Sequence, residues 1–198
     1  MGQEIEIKLA APEAATLEKV RADARVCAAL CTPWREVRME TEYLDTPERA
    51  IAAHKWMLRR RSENGTTVFT MKTPGDGYVR GEWESRKENL HEAVRELVRL
   101  GAPKELTEIT ANGVERTCGV EFLRQTAVVA CGGMRCALCL DYGTLRGGAR
   151  RRPFCEVELE LAAGDMAQML SLAAYLRQTY GLREETRSKF VRAAELAD

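Results

Sequence analysis

The chain has 198 residues, which is enough for one domain with a buried core. Lys plus Arg and Asp plus Glu each number 30, so no net charge attracts nucleic acid or an acidic membrane. No stretch approaches the roughly 20 apolar residues of a membrane-spanning helix. The charged residues Glu4, Glu6 and Lys8 are unlike a signal peptide, and an odd number of cysteines, seven, suits a reducing compartment. We expect a cytoplasmic protein that binds neither nucleic acid nor membrane.

Alternation of polar and apolar residues predicts most of the strands. In chain order they lie at roughly 3–9, 37–46, 55–63, 66–73, 77–86 and 153–161, with weaker patterns at 117–131 and 134–142. Asn64-Gly65 predicts a two-residue hairpin turn, and Gly132-Gly133 joins the two weaker strands. Helices are predicted at about 12–23, 90–100 and 164–180, with a weaker helical pattern at 188–197. No repeat or linker divides the chain, so we predict a single domain over 1–198.

A group of cysteines has the spacing of an iron–sulfur site. Cys131, Cys136 and Cys139 follow C-x4-C-x2-C, with Cys155 as a fourth ligand. On a strand, however, Cys136 and Cys139 point to opposite faces, which is unsuitable for sharing a metal. We therefore interpret these cysteines as small apolar residues of a hairpin.

Charged residues recur at every second position in several predicted strands. In Glu4-Ile5-Glu6-Ile7-Lys8 the charges share one face and the isoleucines the other, and Glu156-Val157-Glu158 repeats the pattern. A single strand of this kind would fit an ordinary sheet with one face in water. Stacked like charges repel, however, unless a ligand compensates them. We predict an α+β fold in which a closed antiparallel barrel has a charged lumen and helices packed outside, since a polyanion with divalent cations would neutralise that lumen.

Several segments resemble a known family when they are taken in order. Glu4-Ile5-Glu6-Ile7-Lys8 resembles the E-x-E-x-K signature of CYTH domains, the triphosphate tunnel metalloenzymes. The following segments are similar to later family motifs: Tyr43-Leu44-Asp45-Thr46, Leu58-Arg59-Arg60-Arg61, Thr70-Met71-Lys72, Arg80-Gly81-Glu82, Arg124, Asp141, the run from Glu156 to Leu161, and Ser188-Lys189. The resemblance covers nearly the whole chain, and its specificity comes from the order of the segments.

The resemblance implies an eight-stranded tunnel that binds Mg²⁺ or Mn²⁺ and acts on a small-molecule triphosphate. The implied phosphate ligands are Lys8, Arg59, Arg61, Lys72, Arg80, Arg124 and Lys189. The implied metal ligands are Glu4, Glu6, Glu82, Asp141, Glu156 and Glu158, with Glu160 ranked lower because it could lie at the barrel mouth. The catalytic candidates among them are Glu4, Glu6, Lys8 and Lys72. Phosphoryl transfer requires mainly positioning and charge neutralisation, which these residue types can provide.

Several functions share these motifs. Hydrolysis of inorganic triphosphate is favoured over a class IV adenylate cyclase, because no nucleotide-specific motif is present. Thiamine triphosphate hydrolysis and a non-catalytic polyphosphate-binding module are further alternatives. The segment Arg146 to Arg152 is predicted to be a flexible basic loop, and the oligomeric state, monomer or homodimer, stays open.

Overall fold

The computed structural model describes residues 5–74 and 81–197. Its strands are β1 Glu6–Ala10, β2 Arg35–Asp45, β3 Met57–Glu63, β4 Thr66–Thr73, β5 Gly81–Ser85, β6 Glu115–Cys131, β7 Met134–Gly147, β8 Arg150–Ala163 and β9 Arg183–Glu184. Its helices are α1 Ala14–Arg21, α2 Ala24–Ala29, α3 Ala50–Ala53, α4 Leu90–Arg99, α5 Glu105–Ile109, α6 Met166–Tyr180 and α7 Lys189–Ala194. Within the described residues every strand predicted from alternation is present, although positions 3–4 and 77–80 of the predictions lie outside them. The two-residue β9 and the short helices α2, α3 and α5 are additions.

All the described strand pairs are antiparallel and belong to one sheet, in the order β5-β4-β3-β2-β6-β7-β8-β1-β9. This confirms a predominantly antiparallel sheet with helices. Over residues 5–74 and 81–197 no strand pair joins β5 to β9, so the sheet is open there. Closure into a barrel therefore stays a prediction.

The hairpin turns agree with the turn residues in the sequence. Asn64 and Gly65 have φ values of 49° and 90°, the left-handed conformations that a tight two-residue turn between β3 and β4 requires. Gly132 and Gly133 make the corresponding turn between β6 and β7, with φ values of 55° and 81°.

The predicted basic loop from Arg146 to Arg152 is wrong. Arg146 pairs with Arg151 and Gly147 with Arg150, so β7 and β8 continue almost to their turn at Gly148. The glycines suggested a loop, but Gly147 has a packing role. A Cβ at this position would overlap the Ala193 carbonyl oxygen of α7.

The sheet has an apolar face that helices cover in two groups. Leu9, Leu138 and Leu159 pack with α1, α2 and α6, while Leu58 and Met71 pack with α3, α4 and α5. Asp165 caps α6 and Gly181 ends it with a left-handed φ of 66°, so α6 lies within the predicted range 164–180. Helices α1 to α6 therefore lie on the face predicted to be the barrel exterior.

The seventh helix lies on the other face, which differs from the prediction that all helices pack outside. Ala193 and Leu196, in and just after α7, pack against Val120, Phe122 and Phe154 of the sheet. Strand alternation places these three on the same face as Arg124 and Glu156. This face is therefore apolar where α7 covers it and charged beyond that point.

Candidate metal and phosphate site

The strand register gathers charged residues from distant parts of the chain on one face. Arg124 lies opposite Asp141, and Asp141 lies opposite Glu156. Lys8 of β1 lies opposite Glu158 of β8. Residues directly opposite one another in antiparallel strands project to the same side, so these side chains share what we call the charged face.

Three carboxylates form the centre of this face. Asp141, Glu156 and Glu158 are buried, and one oxygen of each lies within 4.8 Å of the others. Three buried negative charges at this separation require close compensation. This group, the acidic cluster, is the one set of possible metal ligands found among residues 5–74 and 81–197.

Lys189 and Arg124 provide part of that compensation. Lys189 Nζ lies 2.8 Å from Asp141 Oδ2 and 2.7 Å from Glu158 Oε1, and it also contacts Glu156. Arg124 donates from Nε and Nη2 to the two oxygens of Asp141 at 2.8 and 2.7 Å, and it contacts Glu158. The bidentate geometry fixes both the guanidinium and the carboxylate.

Arg192 is a member of the site that sequence reasoning missed. Its Nη2 donates to Glu156 Oε2 at 2.5 Å, and the side chain is almost fully buried. It follows Lys189 by three residues on α7, so both side chains reach Glu156. The i, i+3 spacing in the helical pattern at 188–197 was the available signal.

The cations and burial act in opposite directions on the pKa values of the cluster. Burial would raise the pKa of Glu158, but Lys189 and Arg124 hold it well below its usual range. Burial dominates at Glu156, whose pKa is raised although Lys189 opposes the shift. Burial would lower the pKa of Lys189, but Asp141, Glu158 and Glu156 raise it above its ordinary value. The three carboxylates therefore favour the charged form of Lys189.

Glu6 and Lys8 lie next to this cluster on β1. Lys8 Nζ donates to Glu6 at 3.2 Å, and the Glu6 side chain is 27% exposed. Burial and the nearby charge of Glu158 raise the pKa of Glu6 to about 7. Its charge near neutral pH therefore depends on what else occupies the face.

A second group, the basic cluster, lies on β3, β4 and β5. It consists of Arg59, Arg61 and Lys72, with Glu82 and Glu84 beside them. Lys72 Nζ lies 2.8 Å from Glu82, but Arg59 Nη2 is 3.8 Å from Glu82 and 3.7 Å from Glu84. Arg61 Nη2 is likewise 3.7 Å from Glu84, and a closer contact of 2.5 Å joins it to Glu63.

The basic cluster has donors that the described side chains do not satisfy. The Nε atoms of Arg59 and Arg61 are buried and have no hydrogen-bond partner within 5–74 and 81–197. Burial and the neighbouring charge of Arg59 lower the pKa of Arg61. Burial raises the pKa of Tyr43, and the charges of Arg59 and Lys189 oppose that rise. Tyr43 lies opposite Arg59 on β2, the strand between β3 and β6.

Comparison with known proteins identifies the family. The family model for the CYTH domain matches residues 2–194. The chain belongs to the CYTH family.

Solved structures support the CYTH fold. A proposed adenylyl cyclase from Hippeastrum, which shows a dominant triphosphatase activity, has a TM-score of 0.63 at 17% identity, with 97% of this chain and 95% of that chain covered. A proposed adenylate cyclase from Bacillus halodurans has a TM-score of 0.58 at 15% identity, with 96% and 98% covered. A protein from Pyrococcus horikoshii OT3 has a TM-score of 0.56 at 19% identity, with 97% and 98% covered. At these identities the likeness shows the fold alone.

The structure brings most of the residues expected from the CYTH motifs to the charged face. Asp141, Glu156, Glu158, Arg124 and Lys189 are in direct contact, as given above. Arg59, Arg61, Lys72 and Glu82 form a separate group, so the structure divides the expected site into an acidic half and a basic half. Glu4 and Arg80 lie outside the described residues.

The cysteines have the arrangement expected of a hairpin. Cys136 is buried in the core beneath α6, whereas Cys139 lies on the charged face, with its Sγ 3.2 Å from Thr126 Oγ1. The group of possible metal ligands in the described chain contains no cysteine. Among the helices in those ranges, none is long and apolar enough to cross a membrane.

Proposed function

We propose that this CYTH protein hydrolyses a triphosphate with the help of Mg²⁺ or Mn²⁺, and that its substrate is inorganic triphosphate. The observation that carries the proposal is the buried cluster of Asp141, Glu156 and Glu158 on the same sheet face as the cations of β3, β4, β6 and α7. Carboxylates hold hard divalent cations, and guanidinium and ammonium groups hold phosphate oxygens. One face of the sheet thus has ligands for both parts of a metal–triphosphate complex.

The residues of the acidic cluster fit a hard divalent cation. All three are carboxylates, their oxygens lie within 4.8 Å of one another, and Glu6 lies beside them. Mg²⁺ and Mn²⁺ prefer such oxygen ligands over sulfur and nitrogen. When bound, the cation would neutralise phosphate oxygens and lower the pKa of a coordinated water. Glu4 and Glu82 stay proposed additional ligands.

The basic cluster fits the phosphate chain. Arg59 and Arg61 have N–H groups that can donate hydrogen bonds to phosphate oxygens. Their Nε atoms have no partner among the described residues, and their Nη2 atoms lie 3.7 Å from Glu84. Lys72 adds a compact charge on the next strand, and Arg124 and Lys189 add donors at the acidic end. Lys8 completes the proposed set, together with Arg80. A triphosphate held by cations along its length would be oriented for attack at one phosphorus.

Closure of the sheet around the polyanion forms part of the proposal. The charged face has more charged side chains than a sheet face requires to be solvated. A ligand enclosed by this face would be shielded from water. We favour the inorganic substrate because the proposed ligands on this face are all charged, while its aromatic residues Tyr43, Phe122 and Phe154 pack in one cluster with residues of α7. The dominant triphosphatase activity of the Hippeastrum protein is consistent with this choice.

A substrate panel with metal control tests the proposal. Phosphate, diphosphate and cyclic AMP would be measured with inorganic triphosphate, ATP, thiamine triphosphate and long-chain polyphosphate, each with Mg²⁺ or Mn²⁺. We expect fastest release of phosphate from inorganic triphosphate, complete loss in EDTA and recovery on adding metal. Cyclic AMP as the main product from ATP would identify a cyclase instead. Tight triphosphate binding without turnover would identify a binding module.

A further inference from the structure

Both oxygens of Glu156 are paired to cations from the same short helix. Arg192 Nη2 donates to Oε2 at 2.5 Å, and Lys189 Nζ contacts Oε1. Glu156 has no exposed side-chain surface, and only 7% of the Arg192 side chain is exposed. The guanidinium also lies 5.5 Å from the ring centre of Phe154, which limits where it can move.

The acidic cluster is therefore electrically balanced before any divalent cation enters. Three carboxylates face three side-chain cations, Arg124, Lys189 and Arg192. A divalent cation bound to Glu156 would lie within a few ångströms of Arg192 in a region with little water. Two positive charges so close repel strongly at low effective dielectric constant. One of them must move away.

Arg192 is the partner best suited to be exchanged. Lys189 and Arg124 each bridge carboxylates of two or more residues, whereas the described contacts of Arg192 with carboxylates are to Glu156 alone. Its helix is short, with six residues from Lys189 to Ala194, and Ser188 caps it by accepting from Val191 N. Its apolar contacts run through Phe190, Ala193 and Leu196. Losing the Arg192 contact therefore removes one of the attachments of a short helix, while the sheet stays in place.

We infer that Arg192 is a positioning residue that sets the cation affinity of the site. It holds Glu156 while no divalent cation is present and gives it up when the cation binds, so that cation binding loosens α7. The inference rests on the metal site of the proposed function. It also gives Arg192 a role distinct from that of Lys189, which keeps its contacts with Asp141 and Glu158 and remains a proposed phosphate ligand.

Mn²⁺ titration calorimetry on matched variants tests this exchange. Arg192→Met removes the charge but keeps an unbranched side chain of moderate size, and we expect it to bind Mn²⁺ about 10-fold more tightly than the unmodified protein. Arg192→Lys keeps the charge and should bind Mn²⁺ close to normally. Arg187→Met is the control, because Arg187 precedes the same helix and is half-exposed, and its ion pairs are with Glu185 and Glu195. It should leave Mn²⁺ affinity unchanged.

Hydrogen exchange of the unmodified protein provides a second measurement that does not depend on any variant folding. Mn²⁺ should accelerate exchange in residues 189–197 while slowing it in β7 and β8. Equal or weaker Mn²⁺ binding by Arg192→Met, or slower exchange in α7, would overturn the inference and leave the metal site intact. Absence of Mn²⁺ binding by every protein, with triphosphate present, would overturn the metal site and the inference together.

Discussion

The acidic and basic halves of the charged face are paired in different ways. In the acidic half, Lys189, Arg124 and Arg192 meet carboxylates at 2.5 to 2.8 Å. In the basic half, Lys72 and Arg61 each have one close carboxylate, but the Nη2 atoms of Arg59 and Arg61 remain 3.7 to 3.8 Å from Glu82 and Glu84, and the Nε atoms of both arginines have no partner among the described residues. The carboxylates of the acidic half are already paired with cations, whereas the guanidinium groups of the basic half have N–H donors without a close acceptor. In the proposed mode of binding, a triphosphate contacts the basic half directly, whereas a metal displaces Arg192 from the acidic half.

Burial explains the difference. Asp141 and Glu156 have no exposed side-chain surface, and an unpaired charge there would cost several kcal/mol. Glu82 and Glu84 are 31% and 43% exposed, so water compensates their charge and loose pairing is tolerated. The comparison predicts that variants of the acidic half alter both folding and metal binding, whereas variants of the basic half alter mainly substrate binding.

The largest expected effect is that of Glu158→Gln. The change removes a proposed metal ligand at nearly constant volume and leaves Arg124 and Lys189 with one carboxylate fewer. Turnover of triphosphate should fall at least about 100-fold, because even residues that only support metal ligands are worth 10- to 100-fold. Steady-state kinetics across a Mn²⁺ titration would measure the loss, and circular dichroism would show whether the variant is folded.

Glu160→Gln is the matched control for Glu158→Gln. Glu160 lies two residues along β8 on the same face, but it is exposed and lies opposite Glu6 near the end of β1. Its replacement should change turnover by less than a few-fold. Similar losses of turnover in both variants would mean that any lost charge on β8 lowers activity. That result would contradict a specific role of the acidic half in metal binding.

Arg59→Ala should produce a smaller, purely binding effect. A charge-assisted hydrogen bond contributes about 1.5–3 kcal/mol, so KM for triphosphate should rise by roughly 10- to 100-fold. Arg60→Ala is the control, because Arg60 is the next residue, points to the opposite face and pairs with Glu42 at 3.6 Å. It should leave KM unchanged. A fall in kcat at constant KM for Arg59→Ala would contradict the assignment to substrate binding.

The sequence predicted the strands because their determinants are local. Alternation at neighbouring positions and turns such as Asn64-Gly65 require no knowledge of distant residues. Alternation also placed Glu156 and Glu158 on one face, and the strand pairs show that Lys8 and Asp141 share it. The order of the motifs indicated the family. The structure then showed which of the motif residues are in contact with one another.

The position of α7 and the role of Arg192 depend on distant residues. The pattern at 188–197 predicted a helix but could not show which sheet face it covers, since both faces of β6 and β8 have apolar residues. The burial of Arg192 depends on Glu156, 36 residues earlier in the chain. The division of the charged face into two halves likewise follows from strand order, which alternation does not specify.

The smallest expected effect concerns the pH dependence of Glu6, which borders the acidic half. Burial and Glu158 raise its pKa to about 7 from an ordinary 4.5, so the folded state binds this proton more tightly than the unfolded state. The free energy of unfolding should therefore decrease as pH rises from about 4.5 to 7 and then level off. Glu6→Gln removes this dependence. In EDTA the variant should have a higher melting temperature than the unmodified protein at pH 8 and the same melting temperature at pH 4.5.

The size of this shift is limited by water and by Lys8. The Glu6 side chain is 27% exposed and lies 3.2 Å from Lys8, so we expect a gain of only a few degrees, given about 2–4 °C per kcal/mol for a chain of this length. Thermal melts at both pH values would measure it. Mn²⁺ should reverse the order at pH 8, because a proposed ligand is missing from the variant. An equal difference in melting temperature at both pH values would show that Glu6 acts through packing rather than through its charge. Glu6 would then not belong to the acidic half.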